Sequence, residues 1–81
     1  MTHHDAKRIA TEAGFKPIDT NAPDIMVASH ARGLWLSMKR SGDRWHAYID
    51  SRDHLLAQAT VTDPESLRAV LAREMAKGVA Q

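Results

Sequence analysis

The sequence predicts an α+β fold. A helix, an antiparallel meander of three or four strands and a second helix follow one another, with both helices packed on one face of the sheet. Three observations carry this reading. Leu34–Arg40 and Arg44–Asp50 alternate apolar and polar residues around a turn at Ser41-Gly42, which is hairpin chemistry. Thr62-Asp63-Pro64-Glu65 opens a run in which Leu67, Val70, Leu71 and Met75 recur at helical spacing. Near the start, Ala6, Ile9, Ala10 and Ala13 line one side of another helix, and Gly14 ends it.

Taken in order, residues 3–13 form the first helix. Thr2 and Asp5 are spaced as a capping pair, and Phe15 follows Gly14 where it folds back on the last turn. Residues 16–24 hold Pro17, Asn21, Pro23 and Asp24 and read as a loop, anchored to the core by Ile18. Ile25–His30 is the first strand, Ala31-Arg32-Gly33 a turn, and Leu34–Arg40 and Arg44–Asp50 the second and third strands. Ser51-Arg52-Asp53 turns the chain into a fourth, His54–Val61, with Leu55, Ala57, Ala59 and Val61 on one face. Its Leu-Leu-Ala-Gln-Ala run suits a helix nearly as well, which leaves the strand count at three or four. The last helix is capped by Thr62, which accepts from the Glu65 N–H while Glu65 reaches back; Pro64 is tolerated in its first turn and Gly78 marks its end.

Eighty-one residues, 43% of them hydrophobic and 26% charged, make one domain spanning 1–81 with an ordinary globular composition. Without cysteine there are no disulfides, thiolate zinc sites or cysteine nucleophiles, so stability is expected from the core, to which a homodimer contact can add. Eleven basic and ten acidic residues are mixed along the chain. A phosphate-backbone binder shows a basic stripe, because each neutralised phosphate needs its own cation. The nearest approach, Lys39-Arg40 with Arg44 and Arg52, is diluted by Asp43, Asp50 and Asp53, which disfavours nucleic acid. No apolar run suits a membrane span and the N-terminus shows no signal-peptide stretch, so a cytoplasmic location is expected.

The hairpin separates two faces on paper. One carries Leu34, Leu36, Met38, Trp45, Ala47 and Ile49; the other carries Trp35, Ser37, Lys39, Arg44, His46 and Tyr48. A two-residue loop at Ser41-Gly42 pairs Leu36 with Ala47 and Trp35 with Tyr48, and a shift by two leaves both faces unchanged. Two large aromatics on the outer face suggest a contact surface, since Trp and Tyr anchor many interfaces. The competing explanations are a cross-strand aromatic pair or cover by the 16–24 loop.

Other constellations are weaker. Ser37, His46 and Asp50 share the outer face, but no nucleophile elbow or oxyanion donor accompanies them. His3, or His4 if Met1 is removed, occupies the third position of an amino terminus, a square-planar nest for Cu(II) or Ni(II) of a kind that binds metal incidentally. No spacing suggests a catalytic zinc site, and neither metal nor cofactor is assigned. Val70 and Leu71 pack on the sheet, whereas Met75 and Val79 are placed to extend into a dimer interface.

Ala13-Gly14-Phe15 closing the first helix, then Ser29-His30, then Ser66-Leu67-Arg68-Ala69-Val70-Leu71 in the last helix resemble HicA-type mRNA interferase toxins. That resemblance implies an αβββα fold related to double-stranded RNA-binding domains, with His30 as catalytic base. Ala28 stands where the family has glycine, and acid opens the last helix where an RNA-binding domain has lysines.

The function expected is therefore a small non-enzymatic protein-binding module, an inhibitor or regulator of the size of phage anti-defence and anti-CRISPR proteins. Its partner is another protein, bound through Trp35 and Tyr48 with Lys39, Arg44 and His46 as polar rim. The alternative is an RNA-directed protein, an mRNA interferase using His30 or a binder without cleavage. The exposed edge of Ile25–His30 offers a second route, by adding a strand to a partner sheet.

Overall fold

A computed structural model describes residues 1–52 and 54–79, the last two as backbone. Asp53, and the Val79 side chain with its expected dimer role, lie outside the described residues. The chain runs α1 (His3–Glu12), β1 (Phe15–Ile18), β2 (Ile25–His30), β3 (Leu34–Ser41), β4 (Arg44–Ser51), β5 (His54–Val61) and α2 (Pro64–Val79). The five strands form one antiparallel sheet in sequence order. Both helices lie on one face: α1 contacts β1 and β2, α2 contacts β5, and the two touch each other.

Local chemistry explains both helix starts. Thr2 Oγ1 accepts from the Asp5 N–H and the Asp5 carboxylate accepts from the Thr2 N–H, a complete capping box. Gly14 takes φ +92°, the left-handed turn that ends α1. At α2 the cap is Asp63 and not Thr62. The Ser66 N–H donates to Asp63 Oδ1 at 2.8 Å, and Pro64 occupies the first helical position, where a missing N–H costs nothing. The helix also passes through Gly78, the expected stop, to Val79.

The strand count is five, not three or four, because Phe15–Ile18 is a strand where a loop is expected. It pairs with β2, Ile18 opposite Val27. Ile18 is consequently exposed and does not anchor anything to the core. The β2 strand lies between β1 and β3, so Ile25–His30 has no free edge to offer a partner. The β3–β4 turn is Gly42-Asp43, with Ser41 opposite Arg44; Leu36 pairs with Ile49 and Trp35 with Asp50. This is a shift of two from the Ser41-Gly42 register, and the faces are preserved. A bulge opposite Ile49–Asp50 breaks the alternation in β5: Leu55 opposes Asp50 while Ala57 opposes Ile49, so those two do not share a face.

The core lies between the helices and the inner sheet face. Met26, Ala28, Leu36, Met38, Trp45, Ala47 and Ile49 meet Ala6, Ile9 and Ala10 of α1 and Leu67 and Leu71 of α2. Trp45 is fully buried, its indole N–H donating to the Met1 carbonyl at 2.9 Å. Arg68 ties the helices from outside, bonding Glu12 of α1 and Glu65 of α2. Among the described residues no helix is long and apolar enough to cross a membrane.

Candidate functional site

Alternation along five strands leaves one sheet face without a helix over it. Its cross-strand rows can be read from the register. Lys16, Ser29, Trp35, Asp50 and Leu55 form one row; Ile18, Val27, Ser37, Tyr48 and Gln58 the next; Ile25, Lys39, His46 and Thr60 the third; Ser41 and Arg44 close it at the turn. Trp35 and Tyr48 are therefore diagonal neighbours, not a direct pair. They remain 44% and 38% exposed, and no loop folds over them.

The apolar population of this face is larger than the hairpin alone indicates. Among the described residues the exposed large hydrophobics are Ile18, Ile25, Trp35, Tyr48, Leu55 and Leu56. All but Leu56 belong to the rows above. Alternation places these exposed residues on the one face that no helix covers, interleaved with Ser29, Ser37, Lys39 and Asp50. Ile18 was hidden by reading β1 as loop, Leu55 by the bulge. The signal for Ile18 was the alternation Phe15, Lys16, Pro17, Ile18 itself, with Phe15 buried and Lys16 exposed.

Charge is sorted as well. Lys16, Lys39 and Arg44 lie on the open face with one acid, Asp50; the carboxylates of Asp19 and Asp43 belong to the loops at its ends. None of those three cations forms an ion pair among the described residues, whereas Arg8, Arg40, Arg68, Arg73 and Lys77 all do. His46 stands beside Lys39, its Nδ1 3.2 Å from Thr60 Oγ1, and with Tyr48, Gln58 and Thr60 it lines a shallow groove of about 390 Å³.

Among the described residues the remaining candidates do not come together as one site. Ser37 faces Tyr48 and His46 faces Lys39, so serine and histidine are not opposite, and no hydrogen bond links Ser37, His46 and Asp50 among the described residues. His30 lies on the inner side of the sheet, where its ring meets Phe15 edge-on at 5.1 Å. Its Nδ1 accepts from the Arg32 N–H at 3.0 Å, and its Nε2 lies against Gly14. At the N-terminus the Met1 amine donates to the Thr62 carbonyl and His3 Nε2 to the Ile25 carbonyl. Among the described residues no cluster of His, Asp or Glu could hold a metal ion. Met75 packs in part against the core.

Comparison with protein-family models, with curated proteins and with solved structures finds no match.

Proposed function

We propose that this protein is a small non-enzymatic binding module, an inhibitor or regulator, that docks another protein on its open sheet face. Trp35 and Tyr48 form the centre, Ile18, Val27 and Leu55 widen the apolar area, and Lys39, Arg44 and His46 form a polar rim. The observation that carries this reading is the gathering of Ile18, Ile25, Trp35, Tyr48 and Leu55 on the one face no helix covers. Burying them on a partner recovers the hydrophobic stabilisation that the fold itself leaves unused.

The aliphatic members favour a protein over a nucleic acid. Bases stack on aromatic rings and phosphates need cations, and neither requires Ile18, Ile25 or Leu55. The RNA-cleaving alternative rests on His30, whose ring is engaged on one nitrogen by a backbone N–H and packed on the other side against Gly14.

The test uses the full chain as bait in an extract of its source cells, comparing wild type with Trp35→Ser/Tyr48→Ser. A protein enriched by wild type and lost from the variant, with both folded and melting within a few degrees of each other, supports docking. Equal enrichment by both overturns it. Enrichment that nuclease abolishes, or growth arrest by wild type relieved by His30→Ala, replaces it with the RNA reading.

A further inference from the structure

The two outer strands of the sheet differ in how they end it. A two-residue turn makes its closing pair hydrogen-bonded, so Ser41 and Arg44 exchange N–H···O bonds and alternate pairs along the ladder do the same. Carrying that alternation outward, residues 45, 47 and 49 of β4 bond to β5, through Val61, Ala59 and Ala57. Gln58 and Thr60 then direct their N–H and C=O groups away from the sheet. Carried the other way, the backbone groups of Phe15 and Pro17 face outward from β1. Pro17 supplies no N–H there, in a strand of four residues that also bears Lys16. On β5 the bulge near Leu55-Leu56 leaves residues 57–61 without such a guard. The strand's eight residues, His-Leu-Leu-Ala-Gln-Ala-Thr-Val, contain no Asp, Glu, Lys, Arg or Pro, and no backbone bond from Gln58 or Thr60 to any other segment occurs among the described residues.

From this we infer that the β5 edge is a self-association surface, on which a second copy of the chain adds its own β5 antiparallel across a two-fold axis perpendicular to the sheet. The straight part of the strand is complementary to itself. With Ala59 opposite Ala59 of the second copy, Gln58 meets Thr60 and Thr60 meets Gln58, and both pairs point their backbone donors and acceptors at each other. Ala57 meets Val61 on the inner face, so apolar residues oppose apolar and polar oppose polar along the whole segment. No like charges meet in this arrangement. Face-to-face stacking of two open sheet faces would instead confront Lys16, Lys39 and Arg44 with their own copies against a single Asp50. The charge distribution thus favours the edge over the face for a second copy, and leaves the open face free for a different protein.

Sedimentation equilibrium across micromolar to millimolar concentrations tests it. Wild type is expected to move from 9.0 kDa towards twice that mass as concentration rises. Gln58→Lys/Thr60→Lys sets lysine against lysine at both pairs and weakens the dimer roughly tenfold or more, whereas Gln58→Lys/Thr60→Glu sets lysine against glutamate and retains it. Hydrogen exchange on unmodified protein gives a readout that needs no variant: the Gln58 and Thr60 amides become slower at high concentration. A wild type that stays monomeric at about 1 mM, a Lys/Lys variant that dimerises like wild type, or Gln58 and Thr60 amides that exchange at one rate throughout, each overturns the proposal.

Discussion

Replacing Trp35 with serine tests the docking face quantitatively. A tryptophan residue presents roughly 250 Å² and Trp35 keeps 44% of its surface exposed, so about 110 Å² is available to a partner. At about 25 cal/mol per Å², complete burial contributes about 2.7 kcal/mol, which is a factor of about 100 in Kd. Tyr48, 38% exposed, contributes about 2 kcal/mol by the same reasoning, so the double serine variant weakens binding about three-thousandfold if the two terms add. The fold loses much less. Both side chains stand on the solvent side of the sheet, and exchanging an aromatic for serine in a strand costs about 1 kcal/mol. Titration calorimetry with the captured partner gives the binding term, and urea denaturation of the same samples gives the stability term. A change in Kd below about threefold, with the rings still exposed in the free protein, refutes the reasoning; so does a variant that loses binding only because it has unfolded.

Trp45→Phe leaves Trp35 as the sole indole and should emit to the red and be readily quenched by iodide, while Trp35→Phe leaves the buried Trp45, blue-shifted and protected; equal quenching of the two would contradict the assigned faces. Gly14→Ala places a Cβ 2.9 Å from His30 Nε2 at φ +92°, and should cost about 1–3 kcal/mol by urea denaturation; adding His30→Ala removes the clash but not the backbone strain, so recovery should be partial, and a neutral Gly14→Ala would refute both. The carboxyls of Asp63 and Asp5 are held below the usual range, first by the backbone N–H groups of Ser66 and Thr2. Their stabilisation is therefore complete above the unfolded value of about 3.9 and lost as pH falls through the lower folded value. Melting temperature should stay level down to about pH 5 and fall below about pH 4, with a shallower fall in Asp5→Asn/Asp63→Asn; an unchanged slope would remove the caps from the account.

Much of this was legible in the chain because side-chain alternation survives errors of register. The residues of the β3–β4 hairpin fall on the expected faces even though the turn is Gly42-Asp43. Gly42 at φ +65° is followed by a residue with negative φ, the arrangement of a turn that wants glycine first, so Gly-Asp was the signal and Ser-Gly its neighbour. Pro17 concealed β1, since a proline argues against a central strand but is accepted on an edge whose N–H side faces outward. The bulge in β5 is set by pairing with β4, and nothing local in Leu55-Leu56 announces it. Asp63 competed with Thr62 for the α2 cap and won because Pro64 takes the first helical position directly after it. Of the proposed docking face, the aromatic centre and the Lys39, Arg44 and His46 rim came from the hairpin; Lys16, Ile18 and Leu55 required the sheet to be assembled.

Pro17 has a consequence for size. In the β5 dimer proposed above, the remaining outer edge of each copy would be the end of a ten-stranded ribbon, and both ends would be β1. A further molecule arriving there meets a short strand with a donor missing and a lysine beside it, so polymerisation has no purchase. Such an assembly would halt at two, with both helix-free surfaces turned the same way, and one imino acid near the start of the chain would separate a finite particle from a growing fibre.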